Sequence, residues 1–335
     1  MKTIFITGAT GLVGANSALE FLQSGYAVRL LVRDKALAQA FFAEQGFDLD
    51  DFVVADMLDK EAVKEAMQGC DAVLHCAAAV NLDPRQAEQT MHNNLASIDA
   101  VIGSACELGI EKILYVSSMS VFYDFDAVSL NEDSPLVKAD GAYSASKIRS
   151  EEKIRAMQRQ GHPIITSYPA AVLGPNDPKH AESNDAIVKF IKLIMPITSS
   201  GYQLIDARDI AIAHRLLLES EHQDYQQARY IIGGHYLPWP SMANLVHRCS
   251  GMPLRRVPVS GATMRMMGRA VDFLQRWLPD ALQFNTPIST EAMQIVTQLP
   301  PASSERLLKK LPMQFRPAAE TLTDTFAWLR KKQHL

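Results

Sequence analysis

Short apolar runs rich in β-branched residues alternate, through the first half of the chain, with longer segments whose apolar positions recur at helical spacing. The runs with strand character are 4–6, 28–32, 52–54, 72–74, 113–116 and 164–166, and the helical segments lie near 12–24, 36–45, 60–68, 86–108 and 143–160. Strands that alternate with helices predict βαβ units and a parallel sheet covered on both faces. We therefore expect a doubly wound α/β fold, with its ligand at the carboxyl ends of the strands where the strand order reverses.

The pattern changes after Pro169, and from Pro238 onward the chain is mostly helical, with further prolines as breakers. Between these points the pattern predicts an amphipathic segment over 184–195, a helix over 209–219 and a strand over 229–232, the last two as a return to the sheet. The sequence thus predicts two units, a sheet domain of residues 1–169 plus 204–235 and a smaller, substrate-facing lobe of residues 170–203 plus 236–335.

Composition narrows the class of protein. The 335 residues carry a net charge of −4, which gives no electrostatic reason to expect nucleic acid as a partner. No apolar run reaches the roughly eighteen residues that a membrane-spanning helix needs, and the first strand-like run follows Met1 too closely for an export signal. The four cysteines lack close-paired metal spacing. We expect a cytoplasmic protein with reduced thiols, no transmembrane segment and no metal site.

A glycine-rich turn follows the first strand and opens the first helix, in the order Thr7-Gly8-Ala9-Thr10-Gly11-Leu12-Val13-Gly14. This is the spacing and the context of a dinucleotide-binding fingerprint. Gly8 would permit the tight turn, Gly11 would let the backbone approach the pyrophosphate, and Gly14 would let the helix pack closely on the sheet. We assign these residues of the turn to cofactor binding at the helix amino terminus: Gly8, Thr10, Gly11, Leu12, Val13 and Gly14. A turn rich in small residues without a ligand is the alternative.

The second strand ends in Leu31-Val32-Arg33-Asp34, where an NAD-binding protein ordinarily has an acidic residue for the ribose 2′-hydroxyl. A guanidinium at Arg33 suits the 2′-phosphate of NADP by its charge and its fork of donors. The sequence therefore favours NADP(H), with NAD(H) still open because Asp34 follows directly. Asp56 and Met57 come after the third strand, where Asp56 is placed to accept from the adenine amino group; a capping or turn aspartate is the alternative.

Tyr143 and Lys147 stand four residues apart in Tyr143-Ser144-Ala145-Ser146-Lys147, so they share one face of a predicted helix. A nearby ammonium lowers the pKa of a phenol from its ordinary value of about 10, and a general acid works best near the operating pH. Tyr143 is therefore a candidate proton donor. The pair alone is weak support, since surface helices often carry Tyr-x-x-x-Lys by chance, and the surrounding motifs carry the assignment.

Further motifs follow one another in order along nearly the whole chain. They are His75-Cys76-Ala77-Ala78, Asn94, Val116-Ser117-Ser118, the segment 169–175, Asp206-Ala207-Arg208-Asp209 and the closing segment 321–329. Together with the glycine turn and the tyrosine–lysine pair, they resemble the extended short-chain dehydrogenase/reductase family, within it the dihydroflavonol-4-reductase-like and 3β-hydroxysteroid-dehydrogenase-like branch. The resemblance implies a Rossmann fold and an NAD(P)-dependent oxidoreductase acting on CH–OH or C=O groups. The aspartates of the Asp-Ala-Arg-Asp motif would brace the sheet domain against the lobe.

The resemblance also implies a role for individual residues. Ser118 would hold the substrate oxygen by a hydrogen bond, with Ser120 as an accessory hydroxyl. Tyr143 would be the acid/base, and Lys147 would lower its pKa and hold the nicotinamide ribose, so both would also contact the cofactor. Further residues would line the cofactor: Ala77, Ala78, Asn94, Pro169 and Val172. His75 is interpreted as structural, because a histidine at a strand end usually has a backbone hydrogen-bond partner.

The substrate is expected to be a hydrophobic or aromatic carbonyl compound or the matching alcohol. Sugar-nucleotide epimerases and dehydratases of the family usually carry Arg-Tyr-Phe-Asn where this chain has Ser167-Tyr168-Pro169-Ala170. The pocket segments predicted are 119–125, 170–204 and 236–278, with these residues as candidates: Met119, Ser120, Phe122 and Tyr202. Two alternatives stay open, a sugar-nucleotide epimerase or dehydratase and a non-catalytic protein that senses NADP.

Two further expectations concern the surface of the protein. The resemblance implies a homodimer in which the helices 86–108 and 143–160 pair into a four-helix interface. In the segment 264–278, Arg265, Arg269 and Arg276 alternate with apolar residues at a spacing typical of one-sided burial. We interpret this segment as a lid or core helix, with a basic helix lying on a membrane surface as the alternative.

Overall fold

A computed structural model of the protein describes residues 1–78, 87–138, 142–278 and 288–335, without the side chains of Ala87, Ala142, Tyr143 and Arg276. The strands are β1 Thr3–Thr7, β2 Ala27–Val32, β3 Phe52–Val54, β4 Ala72–His75, β5 Ile113–Val116, β6 Ile164–Pro169, β7 Ala171–Leu173, β8 Met195–Ile197, β9 Gly201–Asp206, β10 Arg229–Ile232, β11 His235–Pro238 and β12 Arg256–Pro258. The helices are α1 Leu12–Gln23, α2 Lys35–Glu44, α3 Lys60–Ala66, α4 Ala87–Ser97, α5 Ser104–Glu107, α6 Ala142–Arg159, α7 Glu182–Lys192, α8 Ala207–Glu219, α9 Trp239–Ser250, α10 Gly261–Trp277, α11 Thr290–Gln298, α12 Glu305–Lys310 and α13 Ala318–Lys331.

Seven strands form one sheet in the order β10-β6-β5-β4-β1-β2-β3, and all neighbours in it are parallel. Ile4 of β1 pairs with Val28 of β2 on one side and with Ala72 of β4 on the other. The chain order reverses at β1, so the carboxyl ends of β1 and β4 open the crevice where ligands of such sheets bind. The predicted doubly wound, Rossmann-type fold is confirmed.

Both faces of the sheet are covered. Ile4 and Ile6 of β1 belong to one buried cluster, whereas Phe5 between them belongs to the cluster on the other face. The helices α1 and α8 pack together, as do α4 and α6. Because the central strands bury both faces, they read as nearly continuous apolar runs, which made them visible in the sequence.

The remaining strands form two small sheets, β11-β9-β7 and β12-β8. A third buried cluster lies beside them and includes Trp239 and Phe326. The strand β9 runs across the predicted boundary at residue 204, and the division into a sheet domain and a lobe stays a prediction.

The Asp-Ala-Arg-Asp motif links the start of α8 to the carboxyl-terminal segment, as expected of a brace. Asp206 caps α8 and accepts from the Arg208 side chain, whose guanidinium also contacts Asp324 at 2.7 Å. Asp209 accepts from the backbone N–H of Arg316 at 2.7 Å and contacts its guanidinium.

The long predicted elements are confirmed within a few residues. The strand predicted over 229–232 coincides with β10, and the segments 184–195 and 209–219 correspond to α7 and α8. Within the helix predicted over 86–108, residues 98–103 form a π-helical segment between α4 and α5. No helix in the described ranges is long and apolar enough to cross a bilayer.

Candidate active site

At two of the three glycines in the turn after β1, neighbouring backbone atoms lie too close for any other residue. Gly8 has a φ of +77°, and a Cβ there would lie 2.7 Å from the backbone nitrogen of Ala77. A Cβ at Gly14 would lie 2.3 Å from the Gly8 carbonyl oxygen. At Gly11 the nearest atom would be that same oxygen, at an ordinary contact distance of 3.5 Å. The chain itself thus demands glycine at 8 and 14, whereas the space in front of Gly11 stays open to a ligand.

The amino terminus of α1 has the character of an anion site. Its first residue is preceded by Gly11, which offers no side chain as a cap, and its first turn holds no acidic residue. The N–H groups of such a helix start need acceptors, and the helix dipole favours an anion there. Thr10 and Val13 are half-buried beside this terminus and Leu12 is buried. The residues present therefore fit a bound pyrophosphate.

Arg33 follows the end of β2, and its positive charge is not paired with a carboxylate of the described residues. Arg33 is exposed and makes no hydrogen bond to any other described residue. Asp34 caps α2 by accepting from the Leu37 N–H at 3.0 Å. The acidic group next to Arg33 thus caps a helix, and the preference for NADP(H) stays a prediction.

Asp56 forms a turn after β3, where its Oδ1 accepts from the Leu58 N–H at 3.0 Å. This is the turn role considered as the alternative to an adenine contact. Met57 is half-buried against the cluster on the α4 side of the sheet. The assignment of both residues to the adenine end of the cofactor stays a prediction.

Ser118 follows β5 and carries a hydroxyl poised to donate. It caps a short 3₁₀ turn over 119–122, where its Oγ accepts from the Ser120 N–H at 3.2 Å and from the Ser120 hydroxyl at 3.0 Å. Since both lone pairs of Ser118 are engaged, its own hydrogen is left for another acceptor. The accessory hydroxyl predicted at Ser120 therefore orients Ser118 directly.

Lys147 lies in α6 one helical turn after Tyr143, and it is buried. Burial lowers the pKa of its ammonium to about 8, and Cys76 at the end of β4 partly offsets that effect. Asn94 of α4 donates to the neighbouring Ser146 at 2.8 Å. The structure thus brings the lysine of α6, the end of β4 and Asn94 together. The side chain of Tyr143 lies outside the described part of the protein.

His75 ends β4 as a buried, neutral residue. Its Nδ1 is 2.7 Å from the Thr7 hydroxyl and its Nε2 is 3.5 Å from the Ser97 hydroxyl. Burial, and secondarily Lys147, lowers its pKa to about 3. These contacts fit the predicted structural role, although the partners are side-chain hydroxyls instead of the backbone group expected. Thr7 also accepts from the Ala77 N–H at 3.2 Å, which fixes the start of the predicted Ala77–Ala78 cofactor wall.

The other predicted contacts are spread over several elements. Pro169 ends β6, and Val172 lies in the neighbouring β7. Met119 and Phe122 have no exposed surface and belong to the main core, and Tyr202 packs against Trp239 with a ring-centroid distance of 5.7 Å. Their burial favours packing over direct contact with a substrate, and their assignment to a pocket stays a prediction.

A buried carboxylate behind the site was missed in the sequence. Glu151 in α6 has no exposed surface, and it accepts from the Arg155 Nε at 2.7 Å, the Tyr168 hydroxyl at 2.5 Å and the Ser117 hydroxyl at 3.0 Å. Ser117 precedes Ser118, and Tyr168 precedes Pro169. One carboxylate therefore ties together the ends of β5 and β6 and the helix of Lys147. The spacing of Glu151 and Arg155 on one helix face was the available signal.

An open cavity of about 390 Å³ lies near the start of α6, lined by residues 123–126 and 135–138 and by Gln294 and Gln298 of α11. The rings of Tyr123 and Phe125 are 6.1 Å apart at its wall. The first of the predicted pocket segments, 119–125, thus borders a cavity, whereas the contribution of α11 was not predicted.

Comparison with known proteins gives consistent matches. The profile of the NAD dependent epimerase/dehydratase family matches residues 4–233. A protein named "Putative dihydroflavonol 4-reductase" from Synechocystis sp. is 31% identical over 254 residues, which cover 74% of this chain and 73% of that protein. "Cinnamoyl-CoA reductase 1" from Petunia hybrida is 23% identical over 360 residues, covering 100% of this chain and 94% of that one. The crystal structure of gox2253 superposes with a TM-score of 0.83 at 25% identity, with 100% of both chains covered.

Proposed function

The chain belongs to the NAD dependent epimerase/dehydratase family, and we propose that it is an NADPH-dependent reductase for a ketone or aldehyde of a hydrophobic small molecule. Membership and the reductase names of its relatives make it an NAD(P)-dependent oxidoreductase of the extended short-chain type. The substrate class, NADPH and the catalytic residues are the proposal. The observation that carries it is the buried, positively charged Lys147 one turn after Tyr143, on the helix tied by Glu151 to the Ser118 segment.

The cofactor part of the proposal rests on three features of the chain. The start of α1 would hold the pyrophosphate, and Arg33 would hold the 2′-phosphate. Lys147 would hold the nicotinamide ribose, with Ala77, Ala78, Asn94, Pro169 and Val172 along the rest of the cofactor. When bound, the nicotinamide supplies the hydride.

The proton chemistry belongs to the protein. The Ser118 hydroxyl would donate a hydrogen bond to the substrate oxygen and stabilise the negative charge that develops there. Tyr143 would give its proton to the same oxygen, and the Lys147 ammonium would favour the phenolate that remains. Oxidation of the alcohol would use the same groups in reverse.

An apolar substrate is proposed from the sequence and from the relatives. The names of two relatives specify a dihydroflavonol and a cinnamoyl thioester, both aromatic. The cavity at α11 has Tyr123 and Phe125 in its wall, together with polar residues such as Gln294 and Gln298. The segment 167–170 lacks the asparagine with which sugar-nucleotide enzymes of the family help to bind the diphosphate.

The decisive experiment measures turnover in a Tyr143→Phe variant. NADPH oxidation with a panel of aromatic and aliphatic carbonyl compounds should show activity in the parent and at least about a hundredfold lower kcat in the variant. Tyr225→Phe is the matched control, since Tyr225 precedes β10 at the opposite, amino-terminal edge of the sheet. Equal turnover of the Tyr143 variant would refute the proposal. NADPH binding without any turnover would favour an NADP-sensing protein, and conversion of UDP-sugars would favour an epimerase.

Cofactor preference is tested separately by fluorescence titration. Arg33→Ser should weaken NADPH binding about tenfold or more and leave NADH binding nearly unchanged, because only NADPH carries the 2′-phosphate. Lys35→Ser is the control: Lys35 is also exposed, but its ammonium lies 5.8 Å from the centre of the Phe52 ring. An equal loss of both cofactors in the Arg33 variant would contradict the assignment.

A further inference from the structure

The outer face of α10 is the largest concentration of exposed apolar side chains in the described part of the protein. The exposed fractions on this face are 64% for Met266, 46% for Met267, 66% for Phe273, 56% for Leu274 and 73% for Trp277. With Ala270 these residues recur at helical spacing and therefore form one stripe, called the outer stripe below. Five of the ten large exposed hydrophobic residues of the described chain lie in it. Such a stripe indicates a surface that another apolar phase covers.

The outer stripe is not the face that packs α10 onto the protein. The inner face holds the buried Met264 and Gly268, and a Cβ at Gly268 would lie 2.7 Å from the Ser289 carbonyl oxygen. Arg265 donates to Thr297 of α11 at 3.0 Å. The helix thus already has a close-packed side against α11. Met264 is buried, as one-sided burial requires, whereas Met267 and Leu274 are 46% and 56% exposed and point outward.

The chain segment that carries the outer stripe is rich in positive charge. Residues 251–278 contain five arginines and a single acidic residue, Asp272, although the whole chain has a net charge of −4. Asp272 accepts from the Thr290 N–H at 2.8 Å, and Arg269, next to Ala270 of the stripe, is exposed. An apolar stripe with exposed aromatic rings and an arginine beside it matches the chemistry of an anionic lipid headgroup layer over acyl chains.

We propose that the outer stripe docks the protein on the surface of an anionic phospholipid bilayer. Phe273 and Trp277, whose ring centres are 6.2 Å apart, enter the boundary between headgroups and acyl chains. Arg269 remains at the level of the lipid phosphates. The contact is peripheral: α10 lies along the membrane plane.

The position of α10 links this surface to the active site. The helix packs on α11, where Glu291 accepts from the hydroxyl of Ser144, the residue after Tyr143, at 2.6 Å. Gln294 and Gln298 of the same helix line the cavity with Tyr123. Docking therefore places α10 and α11 between the lipid and the proposed catalytic helix. An apolar substrate would then be taken from the bilayer, and this part of the inference rests on the proposed function.

The test is co-sedimentation of the full chain with phosphatidylcholine vesicles, with and without phosphatidylserine. The parent is expected to bind the anionic vesicles and to release as salt is raised. Phe273→Ser with Trp277→Ser should weaken binding about tenfold or more, and Arg269→Glu about fivefold or more. Val128→Ser, at a site 92% exposed elsewhere, and Lys179→Glu are the matched controls and should bind as the parent does.

The outcomes separate the possible occupants of the stripe. Failure of the parent to bind either vesicle overturns the proposal, as does binding that the Phe273 and Trp277 double variant retains. The stripe would instead be assigned to a second copy of the chain if the parent self-associates in sedimentation but does not bind vesicles, and the double variant does not self-associate. Vesicle binding needs no turnover, so it is judged independently of the reaction.

Discussion

Glu151→Gln tests the buried network that ties α6 to the ends of β5 and β6. The carboxylate accepts from Arg155, Tyr168 and Ser117, and the Arg155 side chain is only 18% exposed. The amide leaves the Arg155 charge without its counter-charge and turns one acceptor into a donor that faces another donor. Breaking a buried ion pair costs about 3–5 kcal/mol, and the partial exposure of Arg155 puts the expected loss near the lower end, at about 3 kcal/mol.

Urea unfolding at neutral pH, followed by circular dichroism, measures this loss. A second substitution, Arg155→Met, removes the stranded charge, so the double variant should recover at least about 1 kcal/mol relative to Glu151→Gln alone. The adjacent Glu152→Gln is the matched control. Its carboxylate is 49% exposed and pairs with Arg149 on the surface, so the expected change is below about 0.5 kcal/mol. A Glu151 variant within about 1 kcal/mol of the parent, or a double variant that shows simple additivity, would refute the reasoning.

Two other predictions follow from contacts of single residues. Gly14→Ala should destabilise the protein by several kcal/mol because its Cβ would lie 2.3 Å from the Gly8 oxygen. Gly11→Ala should keep stability within about 1 kcal/mol and weaken NADPH binding about tenfold. Urea unfolding measures the stability of both variants and fluorescence titration their NADPH binding, and equal destabilisation would contradict the distinction. His214 is buried between Ser17 and Ser167, and burial lowers its pKa to about 3. Below about pH 6.5 the unfolded chain therefore binds a proton at this residue that the folded protein does not bind. The free energy of unfolding consequently decreases as the pH is lowered from about 6.5 to about 3. In His214→Asn the slope of unfolding free energy against pH should drop by about 1.4 kcal/mol per unit over this window, and an unchanged slope would show that His214 is protonated when folded.

The seven-stranded sheet was largely predictable because its strands are nearly continuous apolar runs that alternate with longer helical segments. The two small sheets, β11-β9-β7 and β12-β8, were not predictable. The strands β7, β8 and β12 have three residues each, too few for an alternating pattern. They exist through pairing with distant partners, as Met195 does with Arg256. The π-helical segment 98–103 was also beyond reach, since nothing in its composition separates it from the helices on either side.

The candidate site likewise has one part that could be predicted from the sequence and one part that could not. The glycine turn was visible because Gly8 and Gly14 answer constraints set within a few residues or at the adjoining strand. The contacts of Glu151 were not visible, because Ser117 and Tyr168 reach it only through the pairing of β5 with β6. Which side of α10 the protein covers could not be predicted, since periodicity alone shows only that a helix has an apolar face.

The electrostatics around Lys147 explain why its neighbours are an imidazole and a thiol instead of a carboxylate. Burial raises the pKa of Cys76 well above its ordinary value and lowers that of His75 to about 3, so both groups are neutral near physiological pH. The salt bridges of the described residues do not include Lys147. Among the described side chains no carboxylate therefore cancels its charge, and in a buried site such a charge acts strongly on whatever binds beside it. A carboxylate in place of Cys76 would have fixed the ammonium in an ion pair and weakened its pull on the phenolate of Tyr143 in the proposed reaction. A neutral pocket around one buried cation thus suits the role proposed for Lys147, whose proposed partners, a ribose and a phenolate, come together only during turnover.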